Sequence, residues 1–84
     1  MIKDSDYQII GYRDYLYLPN KTGAYLAYNS YGDKYYYFNN LSHREQGPAI
    51  EHSYGTKKWY YYNKYIDCRS QEEFKKIIKL KHFW

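Results

Sequence analysis

The sequence predicts an α+β fold that is mainly β: an antiparallel meander of short hairpins capped by one C-terminal amphipathic helix. Three features lead there. One stretch is written almost twice, since Ser30-Tyr31-Gly32-Asp33-Lys34-Tyr35-Tyr36-Tyr37-Phe38-Asn39-Asn40 aligns without a gap on Ser53-Tyr54-Gly55-Thr56-Lys57-Lys58-Trp59-Tyr60-Tyr61-Tyr62-Asn63. A repeat of this kind marks one supersecondary unit per copy. Within it, aromatic runs alternate with Gly and Asn turn signals, as hairpin strands do. The pattern then changes at Ser70, where Ser70-Gln71-Glu72-Glu73 has the form of a helix capping box.

Taken in order, Met1 to Asp6 is polar and is expected to fray. Tyr7 to Tyr12 reads as a first strand, because it is aromatic and β-branched and ends at a glycine, and Tyr15-Leu16-Tyr17-Leu18 reads as a second. Pro19 to Gly23 is a turn cluster, and Ala24 to Tyr28 a third strand. Copy one supplies a strand from Lys34 to Phe38, a turn at Asn39-Asn40 and a return from Leu41. Copy two supplies Ala49 to His52, Lys57 to Tyr61, a turn at Tyr62-Asn63 and Tyr65 to Cys68. After Ser70, Phe74, Ile77 and Ile78 recur at helical spacing, with Glu72, Lys75, Lys76 and Lys79 on the other side. Lys81 would fall within the apolar stripe, so the helix should stop near Leu80 or Lys81, and His82-Phe83-Trp84 is an aromatic tail suited to docking. All of this makes one domain, residues 1–84, with two hairpin repeats within 24–68 and a helix over about 70–81. The expected core is Tyr36, Phe38, Trp59, Tyr61, Ile66, Phe74, Ile77 and Ile78.

At 84 residues the chain buries a modest share of its surface. Its aromatic content of 24%, with 15 tyrosines, supplies large packing units that each carry a polar tip. Association with itself or with a partner is a second source of stability, so a homo-oligomer is one expectation. The single Cys68 precludes an internal disulfide and suits a reducing cytoplasm. No leader and no membrane-length apolar run is visible, so the sequence gives no reason to expect a membrane.

Between the copies lies Ser42-His43-Arg44-Glu45-Gln46-Gly47-Pro48-Ala49-Ile50-Glu51. With Gly55-Thr56-Lys57-Lys58-Trp59-Tyr60 it resembles a repeat of bacteriophage and giant-virus proteins, His-Arg-Glu-x-Gly-Pro-Ala followed by a strand, a Gly turn and Lys-x-Trp-Tyr. That repeat is loosely similar to MORN repeats. The resemblance covers about Gly32 to Cys68. It implies stacked hairpins and a viral origin, hence a host-cell cytoplasm, and carries no shared catalytic residues. Copy one departs from it at Tyr25-Leu26, where Gly-Pro-Ala would approach, and copy two at Ile66-Asp67 in place of His-Arg. Read on its own residues, the linker is a bend in which the Arg44 fork fixes a carbonyl or carboxylate and holds two hairpins in register.

Little else in the chain carries chemistry. His43 and His52 have no partners at metal-ligand spacing, and none is expected to hold a metal. His43 and Glu45 form an acid–base pair without a visible substrate pocket. Cys68 lacks a neighbour that would mark it as a nucleophile, and no phosphate loop is present. The expectation is a non-enzyme without cofactor. The tyrosines remain. Successive strand side chains point to opposite faces, so one face can meet the helix while Tyr35, Tyr37, Tyr60 and Tyr62 stay on the other beside Lys58. This face serves either as cross-strand packing or as a binding surface. The candidate binding residues are therefore Tyr35, Tyr37, Lys58, Tyr60, Tyr62 and Arg44. The expected partner is a host bacterial protein, such as a defence component. The alternatives are a nucleotide signal sequestered beside Arg44 or Lys58, and single-stranded nucleic acid, to which the net charge of +4 is mildly favourable.

Overall fold

The computed structural model describes residues 2–80. Seven short strands form a mixed sheet, with a helix on each side of it. The strands are β1 (Gln8–Gly11), β2 (Ala24–Tyr28), β3 (Lys34–Phe38), β4 (Leu41–Ser42), β5 (Ile50–Glu51), β6 (Lys57–Tyr61) and β7 (Lys64–Ile66). The helices are α1 (Tyr12–Leu16) and α2 (Gln71–Leu80). The lateral order is β1-β2-β3-β5-β6-β7, with β4 beside β3. The α+β, mainly β architecture read from the sequence is what the chain adopts.

From β2 onward every pair is antiparallel. The two copies of the repeat share one burial pattern: exposed, half-buried, buried, half-buried, half-buried along both Lys34–Phe38 and Lys57–Tyr61. Alternation sends Tyr36 and Trp59 to one face and Tyr37 and Tyr60 to the other. Both copies end in two consecutive left-handed residues, Asn39 and Asn40 (φ 50° and 65°) and Tyr62 and Asn63 (φ 46° and 70°). This is the geometry of a two-residue hairpin turn that follows strand twist.

Two expectations near the N-terminus are corrected. Tyr15–Leu18 is not a second strand, because Tyr12–Leu16 is helical. Tyr12 and Tyr15 lie three apart, so one short helical turn lays both rings on the sheet, while Leu16 and Tyr17 point outward (53% and 81% exposed). The helix also carries the chain across the sheet, so that β1 joins β2 in parallel, Gln8 opposite Tyr25 through Gly11 opposite Tyr28. Residues 12–23 provide the crossover such a pair requires. Nor is the segment before Tyr7 frayed where it is described: Asp4–Asp6 forms a 3-10 turn, and Asp4 is bound by Arg44, while Met1 lies outside the described residues.

Helix α2 covers the Trp59 face at the β6–β7 end. Phe74 is fully buried against Trp59 and Ile66, with Tyr61, Cys68, Ile77 and Ile78 packed around them. The Ser70 hydroxyl accepts the Glu73 N–H at 3.2 Å, which is the serine half of the expected capping box. Of the expected core, Tyr36, Trp59, Ile66 and Phe74 are buried, whereas Phe38, Tyr61, Ile77 and Ile78 are half-buried. Tyr7, Tyr15, Ala27, Ala49 and His43 are buried as well. The aromatic tail and the helix stop beyond Leu80 lie outside the described residues. No helix of the described residues is long and apolar enough to cross a membrane.

Phe74→Ala should destabilise the domain by about 3–5 kcal/mol, the cost of deleting a large buried aromatic. Ser70→Ala should cost ~1 kcal/mol, the loss of one cap. Urea denaturation followed by circular dichroism measures both, and equal effects would mean that α2 does not depend on its apolar stripe.

Candidate functional site

The linker motif is an excursion from a strand. β3 pairs with β4 at Phe38–Leu41 and Tyr37–Ser42, and with β5 at Tyr35–Ile50 and Lys34–Glu51. Tyr36 lies between, its carbonyl accepting the His43 N–H at 3.1 Å and its N–H donating to the Ala49 carbonyl at 2.8 Å. β4 and β5 are thus two stubs of one strand, and residues 44–48 loop out between two bonds to the same residue.

Arg44 fills that loop. Its guanidinium lies over the Tyr36 ring at 4.0 Å and forks onto the Asp4 carboxylate at 3.0 and 2.7 Å. The remaining Nη1 reaches the Pro48 carbonyl at 3.2 Å and Glu51 at 3.3 Å. Gly47 backs directly onto it, and a Cβ there would fall 2.6 Å from Arg44 Nη1. This glycine is needed for close approach, not for an unusual φ. Ala49, fully buried, fills the space where the strand resumes. Arg44 therefore binds both kinds of partner that its sequence context suggested, and both belong to the chain itself.

His43 is fully buried and has both nitrogens engaged. Nδ1 accepts the Tyr62 N–H at 2.9 Å, and Nε2 contacts Glu45 at 3.2 Å. A backbone N–H can only donate, so the ring is the neutral tautomer protonated at Nε2. Burial pushes its pKa below the ordinary 6.5, against the upward pull of Glu45. The Tyr62 ring stacks on it at 3.9 Å, and the Tyr7 phenol donates to the His43 carbonyl at 2.7 Å. The acid–base pair anticipated from the sequence exists as a contact, but a ring without solvent access and without a free nitrogen offers nothing to a substrate. Cys68 is half-buried, and burial, then Glu73, raises its thiol pKa, so it is held as the thiol. Among the described residues no three His, Cys, Asp or Glu side chains converge as metal ligands would.

The six candidate binding residues separate into four places. Tyr35 and Tyr37 lie under α1, Tyr35 against Tyr12 at 5.0 Å and Tyr37 stacked on Tyr15 at 4.5 Å. Burial, then Tyr12, drives the Tyr37 phenol pKa upward. Tyr62 leaves the sheet face for the turn, where it caps His43. Arg44 lies on the Trp59 face. Only Lys58 and Tyr60 remain together on the open part of the Tyr60 face. Tyr65 joins them, directly opposite Tyr60 across β6–β7 with ring centroids 5.5 Å apart, and it is 57% exposed. Tyr65 was legible in the sequence: a two-residue turn at Tyr62-Asn63 places it across from Tyr60.

Two clefts flank α2. One, of about 470 Å³, is floored by Tyr61 and Ile78 and edged by Lys75 and Lys76. The other, of about 490 Å³, lies between the linker and the start of α2 and is lined by Arg44, Glu51, Lys57, Trp59 and Arg69. Comparison of the chain with protein-family models, with curated proteins and with solved structures finds no match in any of the three.

Gly47→Ala should displace the guanidinium and act like loss of Arg44, each costing about 1.5–3 kcal/mol, the range for hydrogen bonds to a charged group. The double variant should be little worse than either single one, a non-additivity that a thermodynamic cycle detects. Independent costs would disprove the close-packed arrangement.

A pH dependence follows from His43. The unfolded chain takes up a proton near 6.5, whereas the folded chain resists it to lower pH. The unfolded state then binds more protons, so stability is full above 6.5 and falls as pH drops through the lowered value. Asp33 adds a loss of the same sign at lower pH, because its hydrogen bonds, led by that from Asn29, hold its pKa below the ordinary 3.8. His43→Asn keeps an acceptor near the Nδ1 position and should flatten the loss that begins at 6.5, which urea midpoints across the pH range would report.

Proposed function

We propose that this protein is a non-enzymatic binding module, phage-encoded, that engages a host bacterial protein in the cytoplasm and inhibits it, as a defence component would be inhibited. What supports the reading is one asymmetry of the sheet. On the Tyr60 face, α1 lies over the β1–β3 half only, and on the β6–β7 half Tyr65 is exposed with Tyr60 and Lys58 half-buried beside it. Tyrosine offers wide contact area at low conformational cost together with a hydroxyl for a polar rim. The viral origin rests on the His-Arg-Glu-x-Gly-Pro-Ala resemblance alone. The linker itself supports a structural role, since Arg44 spends its donors within the chain.

The test compares three proteins as bait in a bacterial lysate: wild type, Tyr60→Ser/Tyr65→Ser and Arg44→Ala. A partner identified with wild type should bind the tyrosine variant more weakly by over ~2 kcal/mol, as loss of a hot-spot pair does. Arg44→Ala should bind normally below its own melting temperature. The opposite result would move the site to the linker. If light scattering instead shows that the tyrosine pair controls dimerisation, the patch is a self-interface and the host-partner reading falls.

A further inference from the structure

The duplication sorts its residues by need. Gly32 and Gly55 take φ of 89° and 102°, which other residues rarely adopt. Asn40 and Asn63 take the left-handed turn positions. Tyr37 and Tyr60 pack against other rings on the sheet. Three further pairs recur: Ser30 with Ser53 at the tips, Tyr31 with Tyr54, and Lys34 with Lys57. Tyr31 and Tyr54 are 80% and 74% exposed, and both lysines are exposed. Fold geometry does not require either the tyrosine or the lysine pair.

These residues converge at one end of the sheet. The β2–β3 and β5–β6 turns abut, because Asp33 accepts the Ser53 N–H at 2.7 Å and a Cβ on Gly32 would meet the Ser53 Cβ at 3.5 Å. Neighbouring hairpins are spaced by two strands, roughly 10 Å. His52 stacks on Tyr54 at 4.9 Å and steadies its ring. Register places Lys34, Glu51 and Lys57 in one row on the Trp59 face. Glu51 gives its carboxylate to Arg44, and neither lysine comes within ion-pair distance of an acid among the described residues. The row continues into the 490 Å³ cleft, where Arg69 adds an exposed cation. Asp33 is turned inward, bound by Asn29 and Ser53.

We propose that the paired hairpin tips bind single-stranded nucleic acid, with bases stacking on Tyr31 and Tyr54 and phosphates following Lys34, Lys57 and Arg69. Exposed aromatic rings alternating with cations are the chemistry of a stacking platform, which accepts any base because every base has a π face. A protein contact is disfavoured at this place. The tip residues around the tyrosines, Asn29, Ser30, Ser53 and Thr56, are small and polar and provide no apolar surround that excludes water from a hot spot. A duplex is disfavoured because its bases are stacked on one another and unavailable to the rings. The surface is separate from the Tyr60–Tyr65 patch, so either reading can fail alone.

The experiment is fluorescence anisotropy with labelled oligothymidine of about 12 nucleotides, a length within the usual site sizes, at about 50 mM salt. Saturable binding is expected, with log K falling against log salt at a slope of about −2, as three phosphate contacts to a single strand give. Tyr31→Ser/Tyr54→Ser should weaken it at least ~10-fold with circular dichroism unchanged, since stacking dominates such sites. Lys34→Gln/Lys57→Gln should flatten the salt slope. Tyr60→Ser/Tyr65→Ser should bind as wild type does. The proposal is overturned by absence of saturable binding, by a tyrosine-tip variant that binds normally, by a duplex bound equally well, or by a mononucleotide that competes as effectively as the oligomer.

Discussion

The position of Arg44 against Tyr36 is the contact on which the rest of the structure depends. A sheet whose central stubs β4 and β5 are two residues each has too little ladder to set its own register. Arg44 supplies it from outside the ladder. Through Asp4 it binds the N-terminal turn, through Pro48 and Glu51 it closes the loop that interrupts the strand, and through Tyr36 it presses that loop onto copy one. The same loop reaches the helix: Gln71 donates to the Glu45 carbonyl at 2.8 Å and accepts from the Trp59 indole at 2.9 Å. One guanidinium thereby connects the first residues of the chain to the last helix.

That arrangement explains how so many tyrosines become structural. Each large ring can pack only if its hydroxyl finds a partner or reaches water. Tyr7 donates to the carbonyl of His43, and Tyr15 donates to Asn40 at 2.9 Å. Among the described residues no buried side-chain polar atom lacks a hydrogen bond. The turn residue Tyr62 shows the same economy. A left-handed φ disfavours a bulky side chain, and here the strain is offset because that conformation aims its N–H at His43 and lays its ring on the imidazole.

The sequence was most legible where a local rule acts alone. Alternation and β-rich composition located Ala24–Tyr28, Lys34–Phe38 and Lys57–Tyr61, and helical spacing with a cap located α2. It was least legible where distant residues decide. Tyr15-Leu16-Tyr17-Leu18 alternates as a strand does, but the rings of Tyr25, Tyr35 and Tyr37 across the sheet reward a helical turn that brings Tyr12 and Tyr15 onto them. Asp4 carries no local mark of its pairing with an arginine forty residues away. Alternation put Tyr35, Tyr37 and Tyr60 on one side, yet it cannot say that α1 covers half of that face, nor that Tyr62 turns away from it to cap His43.

The open surface follows from unequal covering of an equal repeat. Both copies present the same alternation, and a free hairpin pair would expose equivalent rings twice. In copy one Tyr36 lies beneath Arg44 and Tyr7, and Tyr37 beneath Tyr15. In copy two Trp59 lies beneath Phe74, while the one ring that Tyr60 meets among the described residues is that of its cross-strand neighbour Tyr65. The N-terminal segment thus covers both faces of copy one, and the C-terminal helix covers one face of copy two. A chain this short has no further element among its described residues to close the fourth position, so duplication followed by asymmetric capping leaves an aromatic patch at one defined place on the sheet.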